Sequence, residues 1–491
     1  MSNQSEIRFG KRLLETLTAA LYSEPLVVFR EYVQNAVDSF IRNRNKMQND
    51  FCVEIDIIGD KITIRDNGFA IPSDSFLETM LNISASKKGE SEIGFRGIGR
   101  LSGMSFCKTL TFRNKYADSQ IEQSFIWKNY AYRELLKTKE ESDIPNVLKI
   151  ITEVPQAKAV ANNSHYFEVE MVGLEKSLVD CIFLEIVKEK KVYKKKPTDG
   201  FIAKLADLLP VPYKTEFTQA NRIRDEYYKQ FGERLASYEF PIKLNGSQIF
   251  KTYTDADIGE SGIQCIPFLM KDAKGVDSTV GFVWLTFNFK FKAYRGKYGI
   301  SVRNKNVLLA GETALADEAS RSMMASTSHG QFVSAIKCVK GEFYFKTNLL
   351  SDNSKRDWFR IDDYSLQLRE MIHQFMTNMH IYRYKASAFF GAPKSEVKNQ
   401  KDELLKAYEE FVTGADIAKI TTASQAYAST PLPTIDLIAD AQDIPEYSVS
   451  KQQFYVQILK ILHGYYDEKG TLEEYYAVKA YILKKLGVPN E

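Results

Sequence analysis

Cysteine is scarce in this 491-residue chain. There are five (Cys52, Cys107, Cys181, Cys265 and Cys338), far apart and with no C-x-x-C pair. That excludes a disulfide framework and a cysteine-based zinc site of the usual spacing. Histidine is equally sparse, and His165, His329, His373, His380 and His463 show no metal spacing such as H-E-x-x-H. His373 and His380, two helical turns apart, read as packing residues. No apolar run approaches the roughly 20 residues of a membrane span, and the polar, periodic start MSNQSEIRFGKRLLETL has no apolar signal-peptide core. A cytoplasmic location is therefore expected. Neither sign of charge dominates: 66 Lys+Arg against 63 Asp+Glu leave +3, so no bulk charge advertises nucleic acid or membrane. Fourteen prolines and 26 glycines are too few for a fibrous or low-complexity chain. What remains is an ordinary globular composition, 44% hydrophobic and 26% charged, long enough for about three domains.

Along the chain, LLETLTAALY (13–22) is helical, and after Pro25 the text PLVVFREYVQNAVDSFIRNRNK reads as a longer helix. CVEIDII and KITIR read as strands joined by the two-residue hairpin signal Gly59-Asp60. A glycine-rich stretch, GFRGIGRLSG, follows at 94–103, and β-rich text ends at HYFEVEMVG (165–173). Helices bracketing an antiparallel sheet point to an α/β sandwich. The next stretch contains the lysine run KEKKVYKKKP (188–197) and a polar helix in FTQANRIRDEYYKQFGERL (217–235). The run is either a solvated loop or a dock for an acidic partner or nucleic acid. GFVWLTFNFKF (281–291), YGISVRNKNVLL and GEFYFKTNLL then predict further strands. From about 360 the text is helical to the end, with a linker at 421–434, TTASQAYASTPLPT. The Tyr- and Leu-rich faces of FYVQILKILHGYY and YYAVKAYILKKL suit either a helical core or a dimer interface.

Three segments can carry chemistry. On the helix after Pro25, Phe29, Val33, Ala36, Val37 and Phe40 form an apolar stripe, with Glu31, Asn35 and Asp38 clustered opposite at i, i+4 and i+7. These three are either a polar outer face or a carboxylate and an amide that hold a divalent ion and polarise a water. Asp66-Asn67-Gly68 ends a strand. It is either a plain turn or a carboxylate that accepts a hydrogen bond from an exocyclic amine such as adenine's, with Gly68 admitting the ring. Finally, Gly94, Gly97 and Gly99, with Arg96 and Ile98 between them, precede a helical segment. Glycines so placed can turn backbone N–H groups toward phosphate oxygens, or simply form a mobile loop. No Gly-Lys-Ser/Thr follows, so this is not a P-loop, and its context is not that of a Rossmann unit.

Taken in order, these segments resemble the GHKL ATPases, the superfamily of DNA gyrase, the ninety-kilodalton heat-shock chaperone, histidine kinases and MutL. FREYVQNAVDSF resembles the N-box, IRDNGFAIP the first glycine box, IGFRGIGRLSG the second, and NISASKKGES (82–91) the ATP lid. The resemblance is closest to the heat-shock chaperone. It implies a GHKL (Bergerat) α/β sandwich over 1–178 with a lid at about 80–100. A connector over 179–235, a middle α/β domain of the ribosomal-protein-like type over 236–362 and a helical region over 363–491 would follow. It also implies ATP and Mg²⁺ as ligands. Glu31 would orient the attacking water, Asn35 would coordinate Mg²⁺, and Asp38 would support the pocket floor. Asp66 and Gly68 would take adenine. Gly94, Arg96, Gly97, Ile98 and Gly99 would surround the phosphates, with Lys87 reaching in from the lid. LLSDNSKRDWF (349–359) resembles the chaperone loop that reaches the nucleotide, which makes Arg356 the candidate γ-phosphate contact and Lys355 the runner-up.

Two departures stand out. Ala70 occupies a position where the first box often has a second glycine, and NNSHYFEVEM (162–171) is at best a degenerate third box. No phosphoacceptor helix precedes the N-box, which argues against the kinase branch. The expected activity is a slow ATPase working as a conformational clamp, closing as a homodimer on ATP and remodelling a protein client. The alternatives are a DNA clamp of the MutL or MORC kind, a subunit of a bacterial anti-phage defence or stress system, and an ATP sensor that does not hydrolyse.

Overall fold

The computed structural model describes residues 11–15, 24–44, 50–82, 99–117, 119–138, 144–160, 164–271, 277–322, 327–346, 350, 358–391, 397–413 and 415–416. They form a mixed α/β structure built on two large sheets. The first sheet is nine-stranded. From one edge it runs Ser247–Gln248, Ile242–Leu244, Val53–Ile58, Lys61–Asp66, Tyr166–Leu174, Cys107–Lys115 and Ile121–Lys128. Thr152–Glu153 and Lys158–Ala159 both pair with the last of these. Its pairings are antiparallel except where Val53–Ile55 meets Ile242–Leu244 in parallel. The expected hairpin is present, with Gly59 at φ +62° between Val53–Ile58 and Lys61–Asp66.

Alternation decides which side of this sheet is core. Val53, Ile55, Ile57, Ile62 and Ile64 face inward and pack under the long helix Val27–Asn43. The opposite face carries a charge ladder: Arg113 bridges Glu168 (2.6 Å) and Glu170 (2.7 Å), while Lys61 and Arg65 flank the same carboxylates at 3.6 and 3.5 Å. Such cross-strand pairs fix register more than they add stability.

The lysine run forms a hairpin, Leu184–Val187 with Lys190–Tyr193, turned through Lys188 and Glu189 at φ +47° and +65° and exposed along its outer positions. Thr198 then caps the helix Asp199–Leu208 by accepting a hydrogen bond from the Phe201 N–H at 3.2 Å.

The second sheet orders Val307–Ala310, Gly299–Asn304, Val339–Phe345, Asp277–Phe287, Gln264–Lys271 and Ala415–Asp416. The strand expected over 281–291 ends at Phe287, before a turn at 289–290, and both its faces are buried because each has its own cover. Val283, Leu285 and Phe287 pack toward the helices Ala314–Ala319, His329–Ile336, Asp363–Gly391 and Val397–Val412. Phe282 and Trp284 pack toward Tyr213, Phe217, Tyr253 and the helix Ala220–Phe231. His373 is a packing residue as expected, its Nδ1 3.1 Å from the Ala319 carbonyl and its ring edge-on to Phe332. All five cysteines are free. Among the described residues, no helix is long and apolar enough to cross a membrane, and no three His, Cys, Asp or Glu side chains form a metal-binding group. The helices expected beyond 416 lie outside the described residues.

Under the second sheet sits a fully buried carboxylate, Glu342. It accepts hydrogen bonds from Lys251 (2.8 and 2.9 Å), Tyr344 (2.7 Å), Trp284 (3.2 Å), Tyr213 and Arg303. Burial opposes its charge, but Arg303 and then Lys251 outweigh burial and hold it well below the usual carboxylate range. Arg303 in turn reaches the Asp207 carboxylate (2.7 Å) and carbonyl (2.8 Å). Removing one member of a buried ion network strands the others. Glu342→Gln is expected to cost about 3–5 kcal/mol, read as a lower urea midpoint with an unchanged m-value.

Candidate functional site

Val27–Asn43 is buried along most of its length, including polar positions. Glu31 is 2% exposed and Asp38 3%, while Asn35 is half-buried. The polar-outer-face reading of this helix is thereby overturned: the acidic side looks into the protein. The sequence pattern did not reveal this because a buried polar face and a solvated one have the same periodicity.

Glu31 meets the end of the glycine-rich segment. A Cβ on Gly99 would lie 2.3 Å from Glu31 Oε2, so a side chain there would displace the carboxylate. The helix also clamps the turn that follows: the Gly103 N–H donates to the Tyr32 hydroxyl at 2.8 Å, and that hydroxyl donates to the Arg100 carbonyl at 3.2 Å. A Cβ on Gly103 would fall 2.4 Å from the same hydroxyl. Tyr32 is thus a positioning residue that sequence reasoning missed. Its signal was its place beside Glu31, on the helix face toward the glycines.

Asp66 follows Ile62 and Ile64 on the inward face of its strand, and that register buries it at 5% exposure. It accepts the Gly68 N–H at 2.9 Å. Burial pushes its pKa up to about 7, opposed by the Gly68 hydrogen bond and the charge of Arg65. A Cβ on Gly68 would come within 2.7 Å of Asp66 Oδ1. The plain-turn role belongs to Asn67, whose side chain accepts from the Cys52 N–H and donates to the Asp50 carbonyl, both at 2.8 Å. The helix reaches this corner through Phe40, which stacks on Phe51 at 4.5 Å, and Phe51 lies 3.7 Å from the Gly68 Cβ position.

Two further residues fix the loop after Gly68 and were not singled out from sequence. Buried Asn114 accepts from the Ile71 N–H (2.8 Å) and donates to the Ile71 carbonyl (2.9 Å), imitating a strand partner. His165 Nδ1 lies 2.7 Å from the Gly68 carbonyl, and its ring stacks on Phe69 at 5.7 Å. The degenerate third-box segment therefore lies beside the first box, with Phe167 paired to Asp66. Nothing in the strand text CKTLTFRNK, where Asn114 stands between Arg113 and Lys115, marks it out.

Gly68 and Gly99 are positions where a side chain would fill the space beside a buried carboxylate. Ser102, fully buried next to Gly99, has a hydroxyl without a partner among the described residues. Asn35, one turn from Glu31, offers an amide oxygen of the hard kind Mg²⁺ takes when phosphates and waters supply most of its shell. Lys87, Gly94, Arg96, Gly97, Ile98, Lys355 and Arg356 lie outside the described residues.

Residues 22–166 match the family described as histidine kinase-, DNA gyrase B-, and HSP90-like ATPase. This segment is an ATPase domain of the GHKL type, a kind of domain that binds ATP with Mg²⁺. The chain is 26% identical over 143 residues to the chaperone protein HtpG of Shewanella pealeana, covering 24% of this chain and 22% of the relative. It is 27% identical over 150 residues to HtpG of Photorhabdus laumondii, covering 26% and 23%. The chain thus spans less than a quarter of the length of these relatives. Among solved structures, the ATPase region of Saccharomyces cerevisiae topoisomerase II bound to ICRF-187 aligns with a TM-score of 0.38 and 10% identity, over 69% of this chain and 79% of that one. The ATPase and transducer domains of Balamuthia mandrillaris topoisomerase II align at 0.37 and 10%, over 75% and 86%.

Ala70 sits at φ +61°, the left-handed conformation that glycine serves without strain. The strain of a non-glycine residue there is about 1–2 kcal/mol, partly offset by the extra freedom glycine brings to the unfolded chain. Ala70→Gly is therefore expected to raise stability by about 0.5–1 kcal/mol, seen as a higher melting temperature and urea midpoint.

Proposed function

We propose that the chain is a Mg²⁺-dependent, slow ATP-hydrolysing clamp, closing as a homodimer on ATP and remodelling a protein client. The observation that carries this reading is Glu31, a buried carboxylate held against Gly99, on a helix that also reaches the Asp66–Gly68 corner. In this reading Asp66 accepts the adenine amino group and Gly68 admits the ring. Asp38 supports the floor from the same helix. Asn35 holds Mg²⁺, which when bound neutralises phosphate charge and orients the γ-phosphate. Gly94, Arg96, Gly97, Ile98 and Gly99 surround the phosphates, with Lys87 closing from the lid. Glu31 orients the attacking water and takes its proton. Arg356, or failing that Lys355, meets the γ-phosphate and reports its loss. The domain limits 1–178, 179–235, 236–362 and 363–491, the ribosomal-protein-like character of the middle domain, the helical C-terminal domain and the cytoplasmic location belong to this proposal.

One observation favours a second reading, a clamp on DNA. Lys188, Lys190, Lys191, Lys194, Lys195 and Lys196 lie on or beside an exposed hairpin. Salt-sensitive binding to duplex DNA that vanishes when these lysines are neutralised would favour it over a protein client.

Removing a general base costs about 10²–10⁴ in rate. Glu31→Ala should therefore bind ATP as wild type does while hydrolysing it 10²–10⁴ times more slowly. Undiminished turnover contradicts the assignment, and binding without turnover in wild type makes the chain a sensor.

The raised pKa of Asp66 supplies a pH test. In the free protein the folded state holds the Asp66 proton more tightly than the unfolded chain does. Stability from this group therefore falls as pH rises toward 7. An amine donor favours the carboxylate, so ATP binding near pH 7 should release a proton and tighten between pH 6 and 8. Calorimetry in buffers of different ionisation enthalpy reads both.

A further inference from the structure

Outside the nucleotide corner, a cleft of about 450 Å³ lies between the helix Asp199–Leu208 and the second sheet. That volume falls in the range of about 300–1,000 Å³ that takes small molecules. Four cations line it: Lys204 from the helix, Arg295 and Lys297 from the loop before Gly299–Asn304, and Lys340 from the strand Val339–Phe345. Three carboxylates share the wall, Asp207, Asp257 and Glu312.

Hydrogen-bonding capacity, more than net charge, distinguishes the two sets. Asp207 already accepts from Lys297 (2.6 Å) and Arg303 (2.7 Å). Asp257 accepts from Lys340 (2.5 Å) and from the Thr254 N–H and hydroxyl (both 2.9 Å). Each ammonium has three N–H donors, and Lys297 and Lys340 each engage one carboxylate. Lys297 and Lys340 otherwise lie over the rings of Tyr253 (4.9 Å) and Tyr294 (4.7 Å). Lys204 and Arg295, exposed at the rim, form no ion pair among the described residues. Asp207 and Asp257 are thus engaged, while N–H donors remain on the four cationic side chains, which converge from three elements.

We propose that this cleft is a binding site for a small oxyanion carrying at least two negative charges, of the phosphate or phosphate-ester class. Lys297 and Lys340 at the floor and Lys204 and Arg295 at the rim would share its oxygens, with Arg295 offering the planar fork suited to phosphoryl recognition. Half-buried Thr252 adds a hydroxyl on the same wall. The site is distinct from the nucleotide corner: none of Glu31, Asn35, Asp66 or Gly99 lines it. The cleft joins the helix to the second sheet, so an occupant would also fasten the two together.

The test is isothermal titration calorimetry of the full chain with sodium pyrophosphate, without Mg²⁺ and with chelator. Wild type is compared with Lys204→Ala/Arg295→Ala, whose exposed positions should leave the melting temperature unchanged. The proposal predicts single-site binding in wild type, weakened tenfold or more in the double variant, while ATP hydrolysis by the two proteins stays equal. Absence of heat in wild type overturns it, as does equal affinity in the variant, which would place the anion elsewhere. Ribose 5-phosphate and inorganic phosphate, titrated in parallel, distinguish the source. Tighter binding of the ester assigns an organic phosphate, and equal or weaker binding assigns the free anion. ATPase activity is read separately, so failure of the cleft and failure of the nucleotide assignment give different results.

Discussion

Carboxylates taken out of water set the terms on which this chain folds. An isolated ionised carboxylate in a protein interior costs several kcal/mol unless its lone pairs are met. Glu342 and Asp66 represent two ways of handling that cost. Glu342 is surrounded by Arg303, Lys251, Tyr213, Tyr344 and Trp284 and stays ionised. Asp66 accepts the Gly68 N–H and carries a pKa near 7. The first carboxylate completes a structure. The second keeps acceptor capacity beside a glycine, where a donor from outside can complete it.

A single helix connects these two regions. Phe201, near the start of Asp199–Leu208, packs edge-on against Phe29 of the Glu31 helix at 5.4 Å. Asp207, at the other end, holds Arg303 and Lys297 of the second half. Interiors packed at crystal density transmit displacement instead of absorbing it. Asp199–Leu208 thus touches Val27–Asn43 through Phe201 and the charge network of Arg303 through Asp207. In the proposed clamp this helix would join the two sheets, and the cleft lined by Lys204 and Asp207 lies along it.

Much of the first half was legible in the sequence because its signals are local. The Gly59-Asp60 hairpin, the helix after Pro25 and the strands CVEIDII and KITIR all follow from period and turn chemistry. The inward register of Asp66 could also have been read, since it continues the alternation of Ile62 and Ile64. What periodicity could not decide was whether the acidic side of the Glu31 helix faces water, because that depends on a distant segment, Gly99–Ser105, folding over it. Asn114, His165 and Tyr32 escaped for the same reason: each acts on backbone brought near by the sheet. In the second half, GFVWLTFNFKF revealed a strand but not its double burial, which needs two separate covers from 213–253 and 314–411. The Glu342 network was invisible, since its members are spread from Asp207 to Tyr344 and none belongs to a motif.

The proposed function requires the Asp66–Gly68 corner and the Glu31 helix to form one adenine-nucleotide pocket. Its most direct test is equilibrium binding of ATP and GTP, with Mg²⁺, to wild type and Asp66→Asn. Wild type is expected to bind ATP and to discriminate strongly against GTP, whose ring lacks the amino group at that position, and the variant to lose ATP affinity. No ATP binding by wild type, or equal ATP affinity in both proteins, would contradict it.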